Sequence, residues 1–256
     1  LTKNGWTTGD SAVAFAQNRH LLQTGYADRI VGRILRKIRD NGDFDDAMIV
    51  LTADHGISFD PDDLRRDVSE TNVGATVNPP LIIKYPGQTD RVVSTASTQS
   101  LDIYPTIADQ LGAIIPPADG QPVDEAQPDR VMTVSRDQMR EIKVTADQVR
   151  EDRKQALADQ FRRLGNGDLW KLGPRSSLIG RQPGRVKTAK GTRYGLYVSA
   201  ERIRRADGDN NFVPSLISGR LTGVGEDRLI ALAWNGKIVA TTRSFVWQDM
   251  VQFGAM

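Results

Sequence analysis

The chain has 256 residues, 39% of them apolar, which is enough to bury a sizeable core in one or two domains. Its 34 basic and 32 acidic side chains give a formal charge of +2, too small for the single-sign field of nucleic-acid or anionic-membrane binding. The absence of cysteine excludes a disulfide framework, a thiolate zinc site and a cysteine nucleophile within these residues. No apolar run reaches the ~20 residues of a spanning helix. Because the chain opens without methionine, we expect it to be a piece of something longer.

The first half of the chain alternates helix and strand signals. Apolar residues at helical spacing predict a helix from about Ala16 to Asp40, which Asn41-Gly42 should end. The apolar, β-branched run 47–53 predicts a buried parallel strand, and residues 81–85 predict a second strand. Residues 102–111 predict another helix, with a proline in its first turn. This alternation predicts an α/β fold.

The second half has a different pattern. Residues 117–130 are polar and proline-containing, as in a linker. Thr145 and Gln148 form a plausible capping box for a charged helix running to Arg163. Strands are predicted from Thr192 onward, with a two-residue hairpin turn at Asn235-Gly236. We therefore predict three parts: an α/β part at 1–125, a linker and charged helix at 126–174, and a β-rich module at 175–256.

The motif that points to chemistry lies in VLTADHGISF, residues 50–59. Neighbouring residues of a strand point to opposite faces, so Asp54 and His55 converge only where the extended run ends, and Gly56 permits a turn there. A carboxylate and an imidazole suit a divalent metal such as Mn²⁺ or Zn²⁺, but two ligands are too few for a complete site. The alternative is structural: Asp54 hydrogen-bonds the loop backbone, and His55 is a satisfied polar residue.

Three ordered segments carry a resemblance to a known family. YADRIVGRILRKIRDNGDFDDAMIVLTADHGISF resembles the helix, strand and metal loop of the sulfatases and their relatives in the alkaline phosphatase superfamily. NPPLIIKYPGQ is similar to the strand that follows, and SLDIYPTIADQLGAIIPPADGQP to the next helix. RHLLQTGYADR and the β-rich tail further resemble the membrane-anchored sulfatase-like proteins of actinobacteria. The resemblance implies the C-terminal part of an alkaline-phosphatase-like domain, a mixed or parallel sheet flanked by helices, followed by a β-rich module.

The resemblance also implies roles for individual residues. Asp54 and His55 match the second pair of metal ligands, and the imidazole favours Mn²⁺ or Zn²⁺ while Ca²⁺ stays possible. Arg65 and Arg66 are the nearest candidates for the cation that binds the substrate's anionic group, or else ordinary surface charges. His20 is a candidate general acid for the leaving oxygen, or else a residue packed at the start of its helix. Asp28, inside the helix, is left out of the metal set.

The activity that the resemblance implies is metal-dependent hydrolysis of sulfate esters. We expect it of a parent protein and not of this chain alone, because the family's C/S-x-P-x-R nucleophile phrase does not occur here. One alternative is a phosphate or phosphonate ester hydrolase, or a phosphoglycerol-type transferase, of the same superfamily. The other is a non-catalytic extracytoplasmic module that binds glycan or a partner. The expected partner is an anionic ester on a small molecule, glycan or lipid, with no nucleic acid and with membrane contact only through a segment not in this chain. The resemblance implies the extracytoplasmic face of the membrane.

Overall fold

The computed structural model describes residues 5–6, 10–137, 140–164, 173–187, 195–198 and 217–255. The chain divides into two compact units, which share the two long helices. The central unit comprises residues 32–58 and 63–158, and the terminal unit comprises the described part of 1–31, 59–62 and 159–256. The predicted boundaries near 125 and 174 stay predictions.

The first long helix, α1, spans Asp10–Asp40 and begins six residues before the predicted start. Its end is the predicted one: Gly42 adopts a φ of 86°, and the amide of Asp43 donates to the carbonyl of Ile38 at 3.1 Å. This left-handed glycine stop satisfies carbonyls of the last turn that have no partner inside the helix.

The strand before the Asp-His motif is β1, Ile49–Leu51, and its partner is β2, Ile82–Lys84. The prediction of a buried parallel strand is wrong. The two strands pair antiparallel, with Val50 opposite Ile83, and β1 is only partly buried. A short apolar run occurs in either kind of sheet, and the direction of the partner is set by the long connection between the strands, which the run itself does not encode.

The core of the central unit forms around the segment that follows the motif. Val68 and Val73 are buried against Val144 and Val149. The short helix α2, Val73–Thr76, supplies one side of this core. The other side comes from a hairpin that the sequence did not predict, β3 at Met132–Asp137 and β4 at Arg140–Val144, and from the second long helix, α4, at Ala146–Leu164.

The predicted start of α4 is confirmed. The amide of Thr145 donates to Oε1 of Gln148 at 3.0 Å, and the amide of Gln148 donates to the Thr145 hydroxyl at 3.2 Å. This reciprocal pair is a capping box. The amide of Gly74 then donates to a carboxylate oxygen of Asp152 at 2.8 Å, which ties α2 to α4.

The helix that follows β2 is anchored by a buried ion pair. This helix, α3, spans Ile103–Gln110, as predicted. At its start lies Asp102, fully buried, whose carboxylate accepts from Arg130 at 2.8 Å and from the amides of Gln99 and Gln121 at 2.7 and 3.0 Å. The buried carboxylate of Asp102 is thus both paired with a cation and hydrogen-bonded through its two oxygens.

The strands of the terminal unit are β5 at Gly195–Val198, β6 at Ile217–Thr222, β7 at Leu229–Trp234, β8 at Lys237–Arg243, β9 at Phe245–Trp247 and β10 at Met250–Ala255. Four of them form an antiparallel sheet in the order β5-β6-β10-β9. A separate hairpin, β7 with β8, turns at Asn235 and Gly236, both at positive φ, as predicted. Phe15 of α1 stacks on Phe245 at 5.3 Å between ring centroids. The predicted strand NFVPSLISG lies partly outside the described residues.

The mixture of helices and small sheets agrees with the predicted α/β class, and all strand pairings within the described residues are antiparallel. The finer prediction, an alkaline-phosphatase-like architecture, stays a prediction. None of the described helices combines the length and apolar character that crossing a membrane requires.

Candidate metal centre

Asp54 and His55 lie three and four residues beyond the end of β1, where the extended chain bends. The amide of His55 donates to Oδ1 of Asp54 at 2.9 Å, which fixes the carboxylate relative to the backbone. The side chain of Asp54 is 86% exposed and that of His55 is 43% exposed. Both side chains can therefore reach an ion or a ligand from solvent.

The hydrogen bonds of His55 determine which ring nitrogen is available. Its Nδ1 lies 2.6 Å from the carbonyl oxygen of Gly56, and because a carbonyl only accepts, Nδ1 carries the hydrogen. In the neutral imidazole, Nε2 then presents a lone pair. This nitrogen lies 3.5 Å from Oδ2 of Asp54, so two electron-pair donors face each other. A proton or a metal cation between them would stabilise this arrangement.

The separation of the two atoms fits a shared metal ion. Ligands at about 2.1 Å from one ion, at angles between octahedral and tetrahedral, lie about 3.0–3.4 Å apart. The observed 3.5 Å is close to this range. A backbone carbonyl that holds Nδ1–H is also the usual way to orient a ligating imidazole. Asp54 and His55 thus fit two positions of a metal site, and no cluster of three or more acidic, histidine or cysteine ligands occurs among the described residues.

Gly56 is needed for a different reason from the one expected. Its φ is not in the left-handed region, so the turn does not depend on glycine's backbone freedom. Instead its amide donates to the carbonyl of Thr76 at 2.7 Å, and a Cβ placed on it would lie 2.0 Å from the carbonyl oxygen of Ala75. The motif carries a glycine because the backbone of α2 passes directly against it.

The two candidate arginines lie in the loop between the motif and α2. The amide of Ser58, which lies three residues after His55, donates to the carbonyl of Arg65 at 2.9 Å. Arg65 is partly buried, whereas Arg66 is exposed. The structure thus brings the Arg65 backbone to the segment that follows the metal ligands. Sequence reasoning missed Asp63 and Asn72, which organise this loop, because their partners are up to nine residues apart.

His20 belongs to the terminal unit, whereas the Asp-His pair belongs to the central unit. It is exposed on α1, and its ring lies 5.4 Å from the ring of Phe59. Its role as a general acid stays a prediction. Asp28 is exposed on the same helix.

The structure thus places an exposed carboxylate and an imidazole next to each other, just beyond the end of a strand. Residues 17–113 match the sulfatase family model. The predicted resemblance to the sulfatases is therefore confirmed over this segment.

Two curated relatives match part of the chain. The inner membrane protein YejM of Salmonella typhimurium is 26% identical over 118 residues, which covers 46% of this chain and 19% of YejM. YejM of Salmonella typhi matches with the same identity and coverage. The chain thus spans about a fifth of the length of these relatives. No solved structure matches the chain.

Proposed function

We propose that this chain carries part of the metal centre of a hydrolase that cleaves sulfate esters. The observation that carries the proposal is the pairing of Asp54 Oδ2 with His55 Nε2 at 3.5 Å, with Nδ1 fixed by the Gly56 carbonyl. A divalent cation bound between these two electron-pair donors would be coordinated by both of them. The sulfatase match of residues 17–113 supports an ester hydrolase as the class of enzyme.

Each candidate residue has a distinct role in this proposal. Asp54 and His55 are the ligands, and the imidazole favours Mn²⁺ or Zn²⁺ over Ca²⁺. A bound divalent ion would neutralise and polarise the anionic group of the ester. Arg65 or Arg66 supplies cationic donors for the oxygens of that group.

The second candidate substrate is a phosphate or phosphonate ester, and His55 supports it. Many sulfatases that the motif resembles have an asparagine at this position, whereas the phosphate-ester hydrolases and lipoteichoic acid synthases have a histidine. Sulfate and phosphate groups are both tetrahedral oxyanions, so Asp54 and Arg65 suit either one. We further propose that the whole protein acts at the extracytoplasmic face of a membrane, which the name of the relative, an inner membrane protein, supports.

The test compares ester classes in the whole protein. Turnover of matched aryl sulfate, phosphate diester and phosphonate substrates is measured for the wild type, Asp54→Asn and the control Asp46→Asn, which changes an exposed acid before β1. We expect Asp54→Asn to abolish turnover of one class and to release the metal, since it removes a charged ligand. Asp46→Asn should change neither.

The proposal has two clear refutations. If Asp54→Asn keeps both turnover and metal content, Asp54 is not a ligand. If no ester class is hydrolysed by a metal-loaded whole protein, the non-catalytic alternative, a glycan- or partner-binding module, is favoured. The 256-residue chain alone should bind Mn²⁺ or Zn²⁺ weakly and hydrolyse none of these esters, because two ligands do not fix a catalytic geometry.

A further inference from the structure

The candidate arginines lie in a four-residue turn, and the side chain of Asn72 is hydrogen-bonded to both ends of this turn. We call residues 64–67 the arginine turn. The carbonyl groups of Leu64 and Asp67 flank Arg65 and Arg66 in the sequence. Both carbonyls accept from the Nδ2 amide of Asn72, at 2.9 and 3.0 Å. One buried amide therefore closes the arginine turn.

Asn72 is only 2% exposed, and its remaining hydrogen-bonding capacity is also used. Its Oδ1 accepts from the amide of Ser69 at 2.9 Å and from the hydroxyl of Thr76 at 3.1 Å. Two donors and one acceptor of an asparagine are thus satisfied in fixed directions, an arrangement that no carboxylate or hydroxyl of similar size reproduces. The residue is specified by its bonding and not by packing alone.

Asp63 holds the other side of the loop. Its carboxylate accepts from the amide of Leu64 at 2.6 Å, from the hydroxyl of Thr71 at 2.5 Å and from that of Ser69 at 2.9 Å. A charged acceptor with several donors forms stronger hydrogen bonds than a neutral one. The residue that directly precedes the arginine turn is thus tied to the segment that leads into α2.

The same network continues to the metal ligands. The backbone of Thr76, whose hydroxyl donates to Asn72, accepts the amide of Gly56 at 2.7 Å. The amide of Ser58 donates to the carbonyl of Arg65 at 2.9 Å. The arginine turn is therefore joined to the strand end that carries Asp54 and His55 at two points, all within the central unit.

We propose that Asp63 and Asn72 are positioning residues for Arg65. They hold the arginine turn in one conformation, in which Arg65 and not Arg66 meets the anionic group of the ester. The backbone carbonyl of Arg65 accepts from the amide of Ser58, and Arg65 is partly buried, whereas Arg66 is exposed. This inference rests on the proposed function, because it takes an anionic ester as the ligand of this site. Rigid placement of a guanidinium lowers the entropy lost when it binds an oxyanion.

The experiment follows the Nε–H signals of Arg65 and Arg66 by ¹H–¹⁵N NMR while sulfate is added to the 256-residue chain. Chloride at equal ionic strength is the reference, and the titration is run with and without Zn²⁺. We expect a saturable shift at Arg65 and a chloride-like response at Arg66. Failure of Zn²⁺ to shift the ring of His55 contradicts the proposed function, whereas the responses of the two arginines test this inference separately.

Two variants change the contact between Asp63 and Thr71 from opposite ends. Asp63→Asn removes a negative charge near the turn, and Thr71→Val leaves the charge unchanged. A positioning role predicts that both lower the sulfate affinity of Arg65, by at least roughly fivefold, in the range seen for residues that orient a binding group. A purely electrostatic role predicts the reverse for Asp63→Asn, because loss of a like charge strengthens anion binding.

The controls are Asp62→Asn, an exposed neighbour in the same loop, and Thr133→Val, an exposed threonine of β3. Both should keep the affinity of Arg65 within about twofold, since neither removes a bond to the arginine turn. Asp63→Glu keeps both acceptor oxygens and should restore most of the affinity. Equal sulfate responses of Arg65 and Arg66, or unchanged affinity in Thr71→Val, would overturn the inference.

Discussion

Replacing Gly56 by alanine tests the local reason for the glycine of the Asp-His-Gly motif. The added Cβ would lie 2.0 Å from the carbonyl oxygen of Ala75 and 3.3 Å from Cα of Thr76, both backbone atoms that cannot turn away. Overpacking of this kind costs ~1–3 kcal/mol. Loss of the hydrogen bond from the Gly56 amide to Thr76 adds about 1 kcal/mol. We expect Gly56→Ala to lower the free energy of unfolding by about 2–4 kcal/mol.

The assay is chemical and thermal unfolding of the 256-residue chain, with Gly32→Ala as the matched control. Gly32 lies in the central-unit part of α1, and a Cβ there meets only the flexible end of Arg36 at 3.7 Å. Because alanine is the better helix former, Gly32→Ala should raise stability by about 0.5–1 kcal/mol. The two substitutions are chemically identical and are predicted to act with opposite signs. If the free energy of unfolding of Gly56→Ala lies within about 0.5 kcal/mol of the wild-type value, the backbone of α2 does not contact Gly56 as closely as described.

Two further predictions concern ionisable groups of the central unit. Arg130→Met leaves the fully buried carboxylate of Asp102 without its cation and should lower the free energy of unfolding by about 3 kcal/mol in urea titrations; a loss below about 1 kcal/mol would contradict this. Partial burial, and then the carboxylate of Asp124, raise the pKa of Tyr85 to about 12. The contribution of Tyr85 to stability is therefore complete below pH 10, where the tyrosine of the unfolded chain ionises, and is lost as the pH rises towards 12. Tyr85→Phe should flatten this decline in pH-dependent unfolding, and an unchanged slope would count against it.

The parts of the fold that the sequence predicted depend on local rules. The end of α1 at Gly42, the capping box of Thr145 and Gln148, and the turn at Asn235-Gly236 each need only a few neighbouring residues. The hairpin of β3 and β4 was missed because its apolar alternation is short and lies within a polar, charged segment. The antiparallel pairing of β1 was missed because strand direction depends on a partner strand whose paired residues lie 31 to 35 positions further along the chain.

The candidate site likewise has features that local sequence rules predicted and features that they did not. Convergence of Asp54 and His55 followed from the alternation of a strand and its break, which are sequence-local. The tautomer of His55 and the contact of Gly56 with α2 depend on backbone atoms that no residue type specifies. The role of Asp63 was missed, because its donors at Ser69 and Thr71 become neighbours only once the loop is folded.

The most direct test of the central claim is the ¹⁵N spectrum of the His55 ring in the 256-residue chain, recorded as Zn²⁺ is added. The account predicts a ring hydrogen on Nδ1, and a zinc-dependent shift of Nε2 that Asp54→Asn weakens by at least roughly tenfold in affinity. The exposed control Asp46→Asn should leave the zinc titration unchanged. A ring that carries its hydrogen on Nε2, or a zinc response that is the same in Asp54→Asn, would contradict a metal site built by Asp54 and His55.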